Sequence, residues 1–267
     1  MWLEAFYITF AVAYVLYYIY LFHTVRFYTH LTYYCFCVVV GNVVGGIISL
    51  PFGNTADNHF RIFKIIQFMS KPLGIKFTVR HKEILEYDEP FIIISNHQSV
   101  FDVLGMSHVW PENCVFTLKT CFKIVPVLNK IAKLCQAIFI DRFTKAKTDK
   151  TVDDIYKDIV DKKRRVWIFP EGKRNPETEL LPFKQGAFIL AKEANIKIVP
   201  VVFSQHNWFY NFNLDYIRPG PCRADVLTPV DSSKFRTADE LRNYCREVIG
   251  MHREDLDREV VKEIYGL

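Results

Sequence analysis

The chain has 267 residues, half of them hydrophobic, with 34 Lys and Arg against 29 Asp and Glu for a net charge of +5. With 23 Phe, 14 Tyr and 4 Trp beside only 11 Gly and 12 Pro, it is neither disordered, collagen-like nor low in complexity, and its length fits one large domain with or without an appendage. Seven cysteines with no C-x-x-C pair are too sparse for a disulfide framework, and no Lys/Arg stripe with a groove-reading motif points to nucleic acid.

The apolar residues are unevenly placed. Residues 1–57 carry only Glu4, Arg26 and Asp57 as formal charges, which leaves 33 basic and 27 acidic residues in 58–267, a net of +6. Segments 5–22 and 31–52 are uncharged apart from Arg26 between them, and each is long enough for a bilayer core of about 30 Å at 1.5 Å per helical residue. The polar stretch 23–30 reads as a hinge, so 1–57 is expected to be a membrane helical hairpin, with tyrosines at the interface and Gly41-x-x-x-Gly45 as a helix-packing motif. Two buried core helices, or a hairpin re-entering one leaflet, fit the same pattern. By the positive-inside bias, the basic residues that follow, Arg61, Lys64, Lys71 and Lys76, lead to the expectation that the globular part faces the cytosol. Segment 58–74 alternates basic and apolar residues at helical spacing. It is expected to be an amphipathic helix, lying in the membrane surface through Phe60, Phe63, Ile66 and Phe68 or packed on the domain.

From residue 75 to 267, short β-rich runs alternate with helical ones. Strands are expected at 76–80, 91–95, 114–118, 137–141, 166–169, 198–203 and 224–227. Helices are expected at 100–109, 148–162, 183–193 and 238–263, the last opened by a Thr237-x-x-Glu240 capping box. Continuously apolar strands such as Phe91-Ile-Ile-Ile require cover on both faces. The fold class is therefore α/β, a largely parallel sheet flanked by helices, whose chemistry belongs just beyond the strand ends.

Three polar clusters stand at such ends. In Ser95-Asn96-His97-Gln98-Ser99-Val100-Phe101-Asp102, five helical residues would turn His97 and Asp102 about 140° apart. They meet only if His97 precedes the helix, Ser99 caps it and Asp102 lies in its first turn. A carboxylate on Nδ1 would then leave Nε2 as a general base, although a bare capping pair with a turn histidine also fits. Arg142, directly after a strand, is either a surface ion-pair partner or an anion clamp. In Phe169-Pro170-Glu171-Gly172-Lys173-Arg174, proline ends a strand, glycine allows an unusual backbone angle and two cations gather, which suits an ordinary charged turn or a phosphate site.

Taken together, Asn96-His97-x-x-x-x-Asp102, Phe139-Ile-Asp141-Arg142, Phe169-Pro-Glu171-Gly172-Lys173-Arg174 and Ile198-Val-Pro200-Val-Val resemble the four ordered blocks of the glycerolipid acyltransferase family, of the lysophosphatidate acyltransferase type. The resemblance implies that His97 takes the proton of a glycerol sn-2 hydroxyl, that Asp102 orients it, and that the acceptor oxygen attacks an acyl-CoA thioester directly. It implies that Asn96, Arg142, Glu171, Gly172, Lys173 and Arg174 serve the lysophosphatidate site, with the arginines on phosphate, and that Pro200 shapes the acyl-CoA side. It further implies membrane lipids, lysophosphatidate and acyl-CoA as partners, no metal or other cofactor, and an endoplasmic-reticulum membrane location. Lys173 departs from the family pattern, which has threonine there. Competing expectations are another acceptor such as glycerol 3-phosphate or another lysophospholipid, an acyl-ACP donor, a hydrolase using Ser99 or a cysteine with His97 as base, and a catalytically silent membrane-shaping protein.

Overall fold

The computed structural model of the chain describes residues 2–140, 156 and 159–266. Its first element, α1 (Trp2–Ser49), is one continuous helix of 48 residues, about 70 Å long at 1.5 Å per residue. The expected hairpin is not formed. The stretch 23–30 is polar but holds no Gly or Pro to break a helix. Its side chains bond back along the same helix, Thr29 Oγ1 donating to Val25 O (2.8 Å) and the His30 ring to Arg26 O (2.7 Å). Among the described residues, this is the one helix long and apolar enough to cross a membrane.

Its two halves differ. Residues 7–26 are exposed almost throughout, whereas Phe27, Tyr34, Cys37, Gly41, Gly45 and Ser49 form a buried seam at helical spacing. Against that seam lies α2 (Asn58–Ser70), with Ile62, Phe63 and Ile66 buried. A Cβ built on Gly41 would come within 2.4 Å of Ile66, and one on Gly45 within 2.7 Å of the Ile62 backbone, so the glycine pair serves the α1–α2 contact. This corrects the expected interfacial helix: Ile66 packs on α1, Phe63 is buried against Trp110, and of the four named apolar residues only Phe68 stays well exposed.

The sheet comprises β1 (Ile75–Arg80), β2 (Phe91–Ser95), β3 (Cys114–Lys119), β4 (Ile138–Ile140), β5 (Arg165–Ile168), β6 (Lys197–Phe203) and β9 (Gly220–Val226), in spatial order β1-β9-β6-β2-β5-β3-β4. Every pairing is parallel except β6 with β9. Parallel strands need helical cover on both faces, and alternate residues supply the two cores. Ile93, Trp167 and Val199, which are in register, belong to the core that includes Phe27, Tyr34, Ile62 and Ile66 of α1 and α2 and Leu104 and Met106 of α3 (Asp102–Val109). Ile92, Val166 and Ile198 face α5 (Gly186–Glu193) and α6 (Ala238–Tyr265). The remaining elements are α4 (Pro126–Leu134) and a two-stranded hairpin, β7 (Tyr210–Asn211) with β8 (Tyr216–Ile217).

The cap of α6 forms as its sequence suggests, with Glu240 N donating to Thr237 Oγ1 at 3.1 Å. The Glu240 carboxylate, however, takes the N–H of Arg236 at 2.8 Å. All seven cysteines are free. The expected helix 148–162 lies mostly outside the described residues.

Candidate active site

At the C-terminal end of β2 the ladder is continued by a side chain. Asn96 Nδ2 donates to Phe203 O (2.8 Å) and Phe203 N donates to Asn96 Oδ1 (2.9 Å), so the buried amide holds the turn onto β6. His97 follows, its backbone clamped on both sides. Its N–H donates to Glu171 Oε1 (2.9 Å), and its C=O accepts from Asn175 N (2.7 Å). Its ring lies flat on Phe169, with centroids 4.0 Å apart and planes at 19°.

The His97 side chain is 21% exposed and that of Asp102 2%. They meet at 2.6 Å between Nδ1 and Oδ2. The same oxygen accepts Gln98 N (2.9 Å) and Ser99 N (3.0 Å), so three donors converge on it and fix the carboxylate rotamer. A ring proton on Nδ1 serves that bond and leaves the lone pair on Nε2. Regular helix begins only at Asp102. The cap position falls on Phe101 and not on Ser99 as expected, while Ser99 closes the preceding turn, its hydroxyl accepting Phe101 N (3.0 Å) and its carbonyl Asp102 N (3.4 Å).

The loop after β5 supplies the other side. Gly172 has φ +76°, left-handed backbone open to glycine at little cost, and its N–H closes the turn on Phe169 O (3.1 Å). Glu171 is buried, and its second oxygen accepts Leu181 N (3.0 Å). Its two oxygens thus join the loop to the His97 turn. Lys173 and Arg174 are exposed. Arg174 borders a cleft of about 360 Å³ that Gln98, Ser99, His206, Asn207 and Tyr210 also line; Lys173 does not border it. The Tyr210 hydroxyl is pushed up by burial and pulled down by the Arg174 charge, which puts that guanidinium in the field of the cleft. The hairpin after β6 closes one wall, and its Phe212 ring meets Phe27 of α1 at 5.8 Å.

Of the remaining expected residues, Pro200 lies buried in β6 opposite Ile94, within the sheet rather than at the cleft. Arg142 lies outside the described residues. Sequence reading missed His206, although it stands just beyond apolar β6 and so obeys the strand-end rule that picked out the other clusters. It also missed Arg253 and Asp257 of α6. Arg253 is buried and faces Glu171, its guanidinium pushed down by burial; Asp257, pushed up by burial, accepts Gln205 N at 2.6 Å. A long helix remote in sequence gives no local sign of such a contact.

A mostly parallel sheet carries histidine, carboxylate and cation at its strand ends, and the acyltransferase family model matches residues 76–204, the stretch that holds them. The Caenorhabditis elegans protein acl-1, provisionally named a 1-acyl-sn-glycerol-3-phosphate acyltransferase, is 51% identical over 88% of this chain and 90% of its own length. The human 1-acyl-sn-glycerol-3-phosphate acyltransferase beta is 34% identical over 80% of this chain and 78% of its own. The crystal structure of the 1-acyl-sn-glycerophosphate acyltransferase PlsC from Thermotoga maritima superposes with a TM-score of 0.69, covering 88% of this chain and 97% of that one at 22% identity. The chain belongs to the acyltransferase family that includes these 1-acyl-sn-glycerol-3-phosphate acyltransferases.

Proposed function

We propose that the protein transfers an acyl group from acyl-CoA to the sn-2 hydroxyl of 1-acylglycerol 3-phosphate, yielding phosphatidate and CoA. The observation that carries this reading is the 2.6 Å contact of His97 Nδ1 with a buried Asp102, in a turn whose next residues, Gln98 and Ser99, line the cleft that Arg174 borders.

His97 Nε2 accepts the hydroxyl proton as the oxygen attacks the thioester carbonyl carbon. The tetrahedral adduct collapses with cleavage of the C–S bond, and the imidazolium returns its proton to the departing thiolate. No acyl-enzyme is required. Asp102 keeps Nδ1 protonated and the ring turned. Arg174, joined by Arg142 on the strength of the motif resemblance, binds the phosphate, for which guanidinium offers a fork of donors. Glu171, Asn96 and Gly172 act on the backbone that carries these groups, and Pro200 acts through the sheet. Lys173 contributes charge near the phosphate. The exposed half of α1 holds the domain against the membrane in which a single-chain acceptor resides, in the endoplasmic reticulum with the catalytic domain facing the cytosol.

A serine hydrolase fits the geometry poorly. Ser99 Oγ sits 2.7 Å from His206 Nδ1, not on His97. That same nitrogen is the one nearest Asp102, whereas a relay needs the serine and the carboxylate on opposite ring nitrogens.

The test is detergent-purified protein given labelled oleoyl-CoA and a panel of acceptors: lysophosphatidate, glycerol 3-phosphate, other lysophospholipids and none, with thiol release followed in parallel. Acylation of lysophosphatidate that vanishes in His97→Ala is expected. Transfer by folded His97→Ala removes the mechanism, and free fatty acid without an acceptor would make the protein a hydrolase.

A further inference from the structure

Behind the His97–Asp102 pair lies a second imidazole that the proposed mechanism does not use. His206 is 2% exposed. Its Nδ1 is 2.7 Å from Ser99 Oγ and 3.7 Å from Asp102 Oδ1, the oxygen turned away from His97. Asp102 Oδ1 and His206 Nε2 are both buried without a hydrogen-bond partner. The backbone around the ring is held as well, since His206 N donates to Gln98 Oε1 (3.2 Å) and Gln98 Nε2 to Ser204 O (2.9 Å). Phe209 packs on the ring, 5.0 Å between centroids.

These distances select a tautomer. A proton on Nε2 would bury an N–H with no acceptor and turn the Nδ1 lone pair toward a carboxylate oxygen. A proton on Nδ1 has Ser99 Oγ to bond and presents its positive end to Oδ1. The orphan is then a bare lone pair, which buried sites tolerate better than an orphan N–H. Burial pushes the pKa of His206 down despite the nearby carboxylate, so the ring is neutral and supplies a dipole rather than a competing cation.

We propose that His206 is a positioning residue for the proton-accepting pair: its Nδ1–H, anchored on Ser99 Oγ, backs the free oxygen of Asp102 and holds the carboxylate turned so that Oδ2 faces His97. This rests on His97 and Asp102 being the reacting pair. The N–H groups of Gln98 and Ser99 hold Oδ2 in place but leave Oδ1 without a hydrogen bond; without His206 the carboxylate plane could tilt about that held oxygen, and the ring would tilt with it.

Two substitutions separate positioning from packing. His206→Asn puts an amide near the place of Nδ1, whereas His206→Phe fills the volume without a polar atom. In full-length protein in detergent, His206→Phe is expected to lower kcat about 10- to 100-fold with KM for lysophosphatidate unchanged, the scale of a slightly misplaced catalytic group. His206→Asn should recover most of that loss at a similar melting temperature. Ser99→Ala in the His206→Phe background should lower kcat little further, since the Ser99 hydroxyl reaches the carboxylate only through His206.

Equal kcat values for the Asn and Phe variants, or a loss carried by KM, would overturn the proposal. So would a loss that tracks melting temperature alone. His97→Ala is the control. If it retains transfer, the parent mechanism fails. If it is inactive while His206→Phe matches the unsubstituted protein, only the role of His206 fails.

Discussion

Glu171 and Asp102 both contact the His97 turn, through different atoms and with different consequences. Asp102 bonds the ring, whereas Glu171 bonds the backbone N–H of His97 and that of Leu181 ten residues beyond it. Glu171→Gln exchanges one acceptor oxygen for a donor facing an N–H, a buried mismatch of about 1–3 kcal/mol. Lower thermal stability together with lower activity is therefore expected, read by a melting curve and the transfer assay. His97→Ala should lose activity with melting nearly unchanged. For Arg174, exposed at the rim of the cleft, the expected signature is selective. Replacement by alanine removes charge-assisted bonds to phosphate and raises KM for lysophosphatidate about 10- to 100-fold. A phosphate-free acceptor such as monoacylglycerol should show no comparable rise; an equal loss toward both acceptors would instead assign Arg174 to folding.

Among the elements, α1 does two tasks in one helix. Its N-terminal half presents apolar side chains outward, and its C-terminal half is a wall of the domain that touches the site. Tyr34 OH donates to Val100 O at 3.1 Å, and the Tyr34 ring stacks on Phe101 at 4.1 Å, inside the turn that joins His97 to Asp102. The C-terminal half of α1 and the His97 turn are therefore one packed unit. The approach of α2 depends on Gly45, where a methyl group would meet the Ile62 backbone, while at Gly46 it would make an ordinary 3.4 Å contact with Ile131. Gly45→Ala should destabilise by about 1–3 kcal/mol through overpacking, and Gly46→Ala should be nearly neutral. Thermal unfolding of the two side by side checks this, and equal melting temperatures would refute the close-contact account.

For the whole molecule, two buried histidines and the half-buried His108 link stability to pH. Burial pushes His59 down to about 4 and lowers His108 and His206 below the usual 6.5. Below pH 6.5 the unfolded chain binds protons that the folded protein refuses, so stability falls on acidification from 6.5 toward their folded values. Each group contributes a slope of at most about 1.4 kcal/mol per pH unit, and none contributes above 6.5. Asp257, held protonated to higher pH by burial, acts in the opposite sense and offsets part of the loss. Denaturant unfolding at pH 7, 6 and 5 should show a declining free energy. His59→Asn keeps a donor for Ala56 O without a titrating ring, and should flatten the decline. A flat profile in the unsubstituted protein would count against these assignments.

What the residues alone determined is local or periodic. Apolar runs such as Phe91-Ile-Ile-Ile specify doubly covered strands because every position must be buried, and the polar groups just past those strands stand where parallel strands end. The His97–Asp102 spacing carries its own geometric condition, a turn followed by a helix start. Tertiary structure decided what depends on partners distant in the chain. Whether 23–30 bends could not be read from polarity, because a helix tolerates polar residues wherever they reach solvent or bond back to its own carbonyls. Which face of α2 is buried depended on α1 being there to cover Ile62 and Ile66, and on Trp110 to cover Phe63. Glu171, His206, Arg253 and Asp257 acquire their neighbours only when β2, β6, the loop after β5 and α6 converge, and no spacing along a single segment encodes a contact made by folding.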